Sequence, residues 1–199
     1  ARECLYHKPR RVLDLCCGTG DLALHLAMLA ERDVEIVGLD FCEPMLKVAK
    51  AKAIARDPER KVSFIQGDAA DMPFANGYFA ALGISFAFRN ITYRNPLRPR
   101  HLAEMLRVLA PGGRCVILET SQPDDGLLRA AYHLYLKAVV PPVGAYLSGH
   151  PVAYRYLAES ARRFYRPKEV RHLLMEAGFR VVETTPLLFG VAALHVATR

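Results

Sequence analysis

The sequence predicts an α/β protein built on a doubly wound, mostly parallel sheet, and three observations predict it. Apolar runs of strand length alternate with amphipathic segments of helix length through residue 119. The first such run ends in a turn through two glycines, Gly18-Thr19-Gly20, that leads directly into a helix. Two further strand-like runs, separated by a short turn, follow near residue 199 with the spacing of an antiparallel hairpin.

Each element has its own justification. Residues 11–16 form the first apolar run, and 21–31 the first helix, with Leu22, Leu26 and Leu29 near helical spacing. Residues 34–40 read as a buried strand ending on an acid. Pro44, at a first helical position, opens a helix through residue 55. A third strand spans 61–66. A fourth, 78–85, has the Ala, Leu, Gly and Ile content of a strand covered on both faces. A polar, arginine-rich loop then runs over 89–100, a helix over 101–109, and Pro111-Gly112-Gly113 turns into a fifth strand, 114–119. Beyond it, an apolar, tyrosine-containing helix (127–140) stops at Pro141-Pro142. Helices at 152–163 and 167–177 and strands at 179–185 and 191–197 complete the pattern. The expected organisation is one domain over 1–199 with a helical cap at about 123–165. Residues 1–7 read as the end of a helix, so a preceding segment is expected.

Composition narrows the class. A hydrophobic fraction of 52% and a charged fraction of 24% are those of an ordinary globular chain. The net charge of +7 admits an anionic partner and equally a basic, solvated surface. Five cysteines without a C-x-x-C pair argue against a zinc site and a disulfide framework, and fit a reducing cytoplasm. No metal is expected. No apolar run reaches the ~18 residues of a membrane-spanning helix.

Gly18 and Gly20 permit a tight turn and close approach of a ligand. The helix that follows begins with unpaired N–H groups and a partial positive charge. Gly18-x-Gly20-x-x-Ala23 also fits a dinucleotide fingerprint. Asp40, at the end of the second strand, suits a ribose in either a dinucleotide or an adenosyl site. Gly67-Asp68-Ala69 places another carboxylate at the end of the third strand, within reach of an adenine amino group. Together with Asp14 before the glycines, the Pro111-Gly112-Gly113 turn and the terminal hairpin, these resemble the class I S-adenosylmethionine-dependent methyltransferases, which have a Rossmann-like sheet.

The stretch Ser85-Phe86-x-x-Arg89-Asn90-x-Thr92 is more specific. It resembles the C-methyltransferases of ubiquinone and menaquinone biosynthesis (the UbiE/MenG type), as do Asp40-x-x-x-x-Met45-Leu46, the block from Tyr154 to Ser160, and Ala193-Leu194-His195. The chain departs from that family at Tyr93, where an acid is usual, at Phe79-Ala80, and in a longer loop over 93–100. The resemblance implies S-adenosylmethionine as cofactor, with Thr19, Asp40, Asp68, Ala69 and Ser85 binding it. Gly18 and Gly20 supply the loop, and Asp14 and Phe41 complete the expected cofactor-binding set. It implies a prenylated benzoquinol or naphthoquinol as acceptor, methylated on a ring carbon. Nucleic acid is disfavoured because no N/D-P-P-Y/F-type sequence follows the fourth strand and Cys115 lies inside the fifth. Another phenol, sterol or natural product, or a non-catalytic adenosyl-binding subunit, are the alternatives. A homodimer and a peripheral contact with the inner membrane face are both allowed.

A ring carbon attacks a methyl group well once the neighbouring hydroxyl is ionised. A phenol titrates near 10. Ionising it at neutral pH means offsetting ~3 units, roughly 4 kcal/mol. Arg89, with Asn90 beside it, is the expected source of that stabilisation, with a bound water carrying the proton away. Phe86, Tyr132, Tyr135, Tyr154 and Tyr156 are the expected lining of the quinol pocket. His150 and His195 are alternative bases.

Overall fold

The chain starts at the middle of a sheet, runs outward along one half, and returns to build the other. The computed structural model describes residues 1–60 and 62–199. Strands β1 (Arg11–Leu15), β2 (Glu35–Asp40), β3 (Val62–Gln66), β4 (Phe79–Ser85) and β5 (Leu109–Thr120) are joined by β6 (Val181–Leu187) and β7 (Ala192–Thr198). They form one seven-stranded sheet in the order β3-β2-β1-β4-β5-β7-β6. Every neighbouring pair from β3 to β5 is parallel. The expected hairpin sits at the far edge, with β7 inserted antiparallel between β5 and β6. The expected third strand began at Lys61, which lies outside the described residues.

Alternation along the strands divides the core. Val12 and Ile36 face helices α1 (Asp21–Leu29) and α2 (Glu43–Arg56), packing with Ala23, Leu26, Leu46 and Ala49. Leu13, Leu15, Val37 and Leu39 face the other way. There they meet Leu102 and Met105 of α4 (Arg98–Val108) and Val170 and Leu174 of α8 (Pro167–Glu176). Because strand order reverses between β1 and β4, a crevice opens at their carboxyl ends, where doubly wound sheets bind ligands.

Four expectations are corrected. Residues 1–7 form turns rather than a helix. The arginine-rich loop contains a short helix, α3 (Phe88–Thr92), and α4 begins at Arg98, three residues early, with Pro99 in its first turn. β5 already starts at Leu109, pairing with Phe79 of β4 before a register shift. Pro141-Pro142 do not end the apolar segment. They open α6 (Val140–Ser148), between α5 (Gly126–Ala138) and α7 (Pro151–Arg163), because the first helical turn has no amide hydrogen bond for proline to lose. These three helices carry a separate small cluster of Tyr132, Leu136, Ala158 and Ala161.

Candidate active site

A cavity of about 800 Å³ occupies the crevice at the carboxyl ends of β1 to β4. Its floor is the glycine turn. Gly18 and Gly20 take left-handed φ values of 53° and 82°. A Cβ on Gly20 would lie 2.9 Å from the Ala49 Cβ, so glycine lets the turn pack directly on α2. Beneath the turn, buried Asp14 accepts the Ala23 amide at 2.8 Å, satisfying one of the free donors of the first turn of α1. Above it, Lys52 of α2 donates to Thr19 Oγ1 at 3.0 Å and Asp21 Oδ1 at 2.9 Å.

Asp40 ties two walls together. Its Oδ2 accepts the Gly18 amide at 2.8 Å, and its Oδ1 the Cys42 amide at 2.9 Å. Each carboxylate oxygen keeps a further lone pair for a ribose hydroxyl. Phe41, next in the chain, is 77% exposed at the rim and offers an aromatic face. Asp68 accepts the Ala70 amide at 2.8 Å, which shapes the turn that brings Asp68 and Ala69 to the opposite wall.

Burial governs the charge carried by the floor. Burial, and then the carboxylates of Asp40, Asp14 and Asp68, push the Cys16 thiol up to about 12. The Asp14 carboxyl itself is pushed up to about 7, chiefly by burial, against the pull of the Ala23 amide. The thiol is therefore neutral at pH 7 and the Asp14 carboxyl about half protonated there, so neither lays a full negative charge beneath the glycine turn.

The acceptor side is built after β4. Phe86, left-handed at φ 55°, and Ala87 line it together with Ser85. Asn90 and Ile91 of α3, Asn95, Leu97, and His101 of α4 continue the wall, and Tyr156 reaches in from α7. The Tyr156 hydroxyl donates to Asn90 Oδ1 at 3.4 Å.

The structure does not gather all the expected residues here. Arg89 turns away from the cavity wall into a buried ion pair, 2.9 Å from Glu119 Oε1. Its backbone amide donates to Glu119 Oε2 at 3.0 Å. Tyr132 lies in the cluster between α5 and α7, Tyr135 is half exposed, and the Tyr154 ring packs on Gly144. His195 sits in the sheet with Nδ1 2.9 Å from Thr184 Oγ1, its titration pulled down to about 4 by burial. His150 is exposed ahead of α7. Met45, noted only within the Asp40-x-x-x-x-Met45-Leu46 stretch, lines the cavity. His101 of α4 lines it with no local motif to mark it, and Lys52, equally unmarked, contacts Thr19. No group of three or more metal-ligating side chains occurs among the described residues.

Comparison with known proteins agrees with this geometry. Residues 2–199 match the model of the ubiE/COQ5 methyltransferase family. The chain is 46% identical over 193 residues to a demethylmenaquinone methyltransferase of Thermus thermophilus, covering 96% of this chain and 83% of that protein. It is 42% identical to the Deinococcus radiodurans protein of the same name, covering 100% and 79%. It is 37% identical to the ubiquinone/menaquinone biosynthesis C-methyltransferase UbiE of Pseudomonas paraeruginosa, covering 93% and 71%. In fold, it superposes on an S-adenosylmethionine-dependent methyltransferase of Aquifex aeolicus with a TM-score of 0.67 at 19% identity, over 95% of this chain and 81% of that one. The family match over residues 2–199 and the near-full-length relatives agree: the chain belongs to the ubiE/COQ5 methyltransferase family and uses S-adenosylmethionine as its cofactor.

Proposed function

We propose that the chain methylates a ring carbon of a prenylated quinol, demethylmenaquinol first among them. The observation that supports this is the composition of the acceptor wall. Phe86, Ala87, Ile91 and Leu97 make it apolar, and Asn90, Tyr156 and His101 supply its few polar groups. Such a surface suits a flat ring carrying hydroxyls and a hydrocarbon tail.

The bound cofactor supplies an electrophilic methyl group. The chain supplies the setting. Thr19, Asp40, Phe41, Asp68, Ala69 and Ser85 hold the adenosyl and methionine ends, over the turn of Gly18 and Gly20 and above Asp14. The Asn90 amide donates to the acceptor oxygen, with its own carbonyl taken up by Tyr156. Arg89, paired with Glu119, fixes α3 and thereby Asn90. Helices α5 to α7 act as a cap on the same catalytic unit. Their exposed Leu134, Tyr146 and Leu147 rest on the bilayer surface in which a prenyl tail dissolves. No helix among the described residues is long and apolar enough to cross a membrane.

The test is methyl transfer from radiolabelled S-adenosylmethionine to demethylmenaquinol, a demethoxy-type benzoquinol and tRNA in parallel. Label is expected in a quinol, demethylmenaquinol above all. Label in tRNA alone overturns the reading.

A further inference from the structure

The acceptor wall holds one titratable side chain that the reaction above has not used. His101, in the first turns of α4, is 4% exposed, yet its ring forms part of the cavity wall alongside Asn90 and Ile91. Its Nδ1 lies 2.8 Å from the Ile91 carbonyl oxygen. A carbonyl oxygen only accepts, so Nδ1 carries the proton. In the neutral ring Nε2 is then left as a bare acceptor. Among the described residues no hydrogen bond engages Nε2. The charged side chains of its own helix are occupied elsewhere: Arg98 donates to the Tyr165 hydroxyl, Arg100 lies 3.8 Å from Asp71, and Glu104 is held by Arg107 and the Met72 amide. The imidazole is thus fixed in one tautomer and tethered to the short helix that carries Asn90. Its Nε2, without a protein partner and not among the fully buried unpartnered atoms, belongs to a residue that lines the cavity.

We infer that His101 is the general base of the reaction. The inference rests on the reading of the acceptor as a quinol. The acceptor O–H bond breaks, its proton passes to Nε2, and the electron pair stays on oxygen, conjugated to the ring carbon. That carbon forms its bond to the methyl group as the bond from methyl to sulfur breaks, with the pair remaining on sulfur. Loss of the ring C–H proton to water restores aromaticity, and His101 returns its proton to the oxygen. One proton leaves in all. The same histidine explains how a buried site manages with Arg89 turned away: the proton moves to a fixed acceptor instead of being repelled from a phenol by a free cation.

The test separates a base from a wall residue. His101→Asn places an amide N–H where Nδ1–H was, keeping the bond to Ile91 while removing the base. It is expected to bind S-adenosylhomocysteine within about twofold of wild type by calorimetry, while turnover on demethylmenaquinol falls on the order of 10²–10⁴-fold. His101→Ala leaves a ring-sized hole, and free imidazole is expected to restore its turnover at least tenfold without affecting wild type. A naphthol bound with S-adenosylhomocysteine is expected to show naphtholate absorption in wild type and naphthol absorption in His101→Asn. Turnover of His101→Asn within threefold of wild type overturns the inference. So does a parallel loss of S-adenosylhomocysteine affinity, which assigns the ring to the adenine instead. Wild-type enzyme that methylates no quinol yet ionises the naphthol through His101 counts against the acceptor assignment alone.

Discussion

Arg89 of α3 and Glu119 at the carboxyl end of β5, thirty residues apart, meet as an ion pair 2.9 Å long with side chains 5% and 1% exposed. Glu119 also accepts the backbone amides of Arg89 and Thr120, at 3.0 and 2.7 Å. Removing one partner from such a pair strands a charge in low dielectric, at about 3–5 kcal/mol. Glu119→Gln is expected to lower the unfolding free energy in urea by that amount. Arg89→Ala is expected to lower turnover far more than cofactor affinity, because it frees α3 and leaves the adenosyl walls in place. Equal losses in both would count against the positioning role.

Asp40 leads to a second expectation. Both of its oxygens already accept amides, from Gly18 and Cys42. In Asp40→Asn, one of those amides must face an NH2 group. Losing a single charge-assisted bond costs roughly 1.5–3 kcal/mol, and each 1.4 kcal/mol is tenfold in affinity. Calorimetric titration should therefore show S-adenosylhomocysteine binding weakened at least tenfold. Unchanged affinity would place the ribose elsewhere.

The buried Asp14 carboxyl makes stability depend on pH. Its folded value is raised from 3.8 to about 7, so the folded state keeps a proton that the unfolded state has already released. The resulting stabilisation is full below 3.8 and is lost as pH rises through 7, at about 1.4 kcal/mol per unit in between. Asp14→Asn keeps a carbonyl for the Ala23 amide and removes the titration. Between pH 5 and 7 wild type is expected to lose about 2 kcal/mol relative to the variant in chemical denaturation. Parallel curves would refute the shift.

Lys52 holds Thr19 and Asp21 from across the turn, and draws the Asp21 carboxyl below its ordinary value. The group is largely exposed, so its energy is small. Its position matters more. Lys52→Met is expected to raise the KM for S-adenosylmethionine several-fold with kcat within a factor of two, and Lys52→Arg to recover most of the loss.

The sheet was legible because its signals are local. Strand-length runs, the Gly18–Gly20 turn and the acids at strand ends each lie within a dozen residues. What failed was non-local or ambiguous. Pro141-Pro142 read as a stop because proline breaks a helix interior and opens a first turn equally well, and only the packing of α6 decides between them. Five residues, 88–92, are too few to show a helical period. Arg89 looked free because Glu119, which claims it, is a whole helix and strand away. His101 was invisible for the same reason: its meaning comes from the Ile91 carbonyl, ten residues earlier and across a turn.

The insertion of β7 between β5 and β6 has a consequence for biosynthesis. β5 pairs with β7 along Arg114–Thr120, and the Arg199 carbonyl and amide bond to Gly112 and Gly113. Five parallel strands can assemble while the ribosome is still translating, but the outer face of β5 stays open until residue 198 has left the exit tunnel. For that interval a long apolar strand edge is unpaired, which is the condition for edge-to-edge aggregation. A nascent chain stalled within β6 should therefore need a chaperone that the released chain does not.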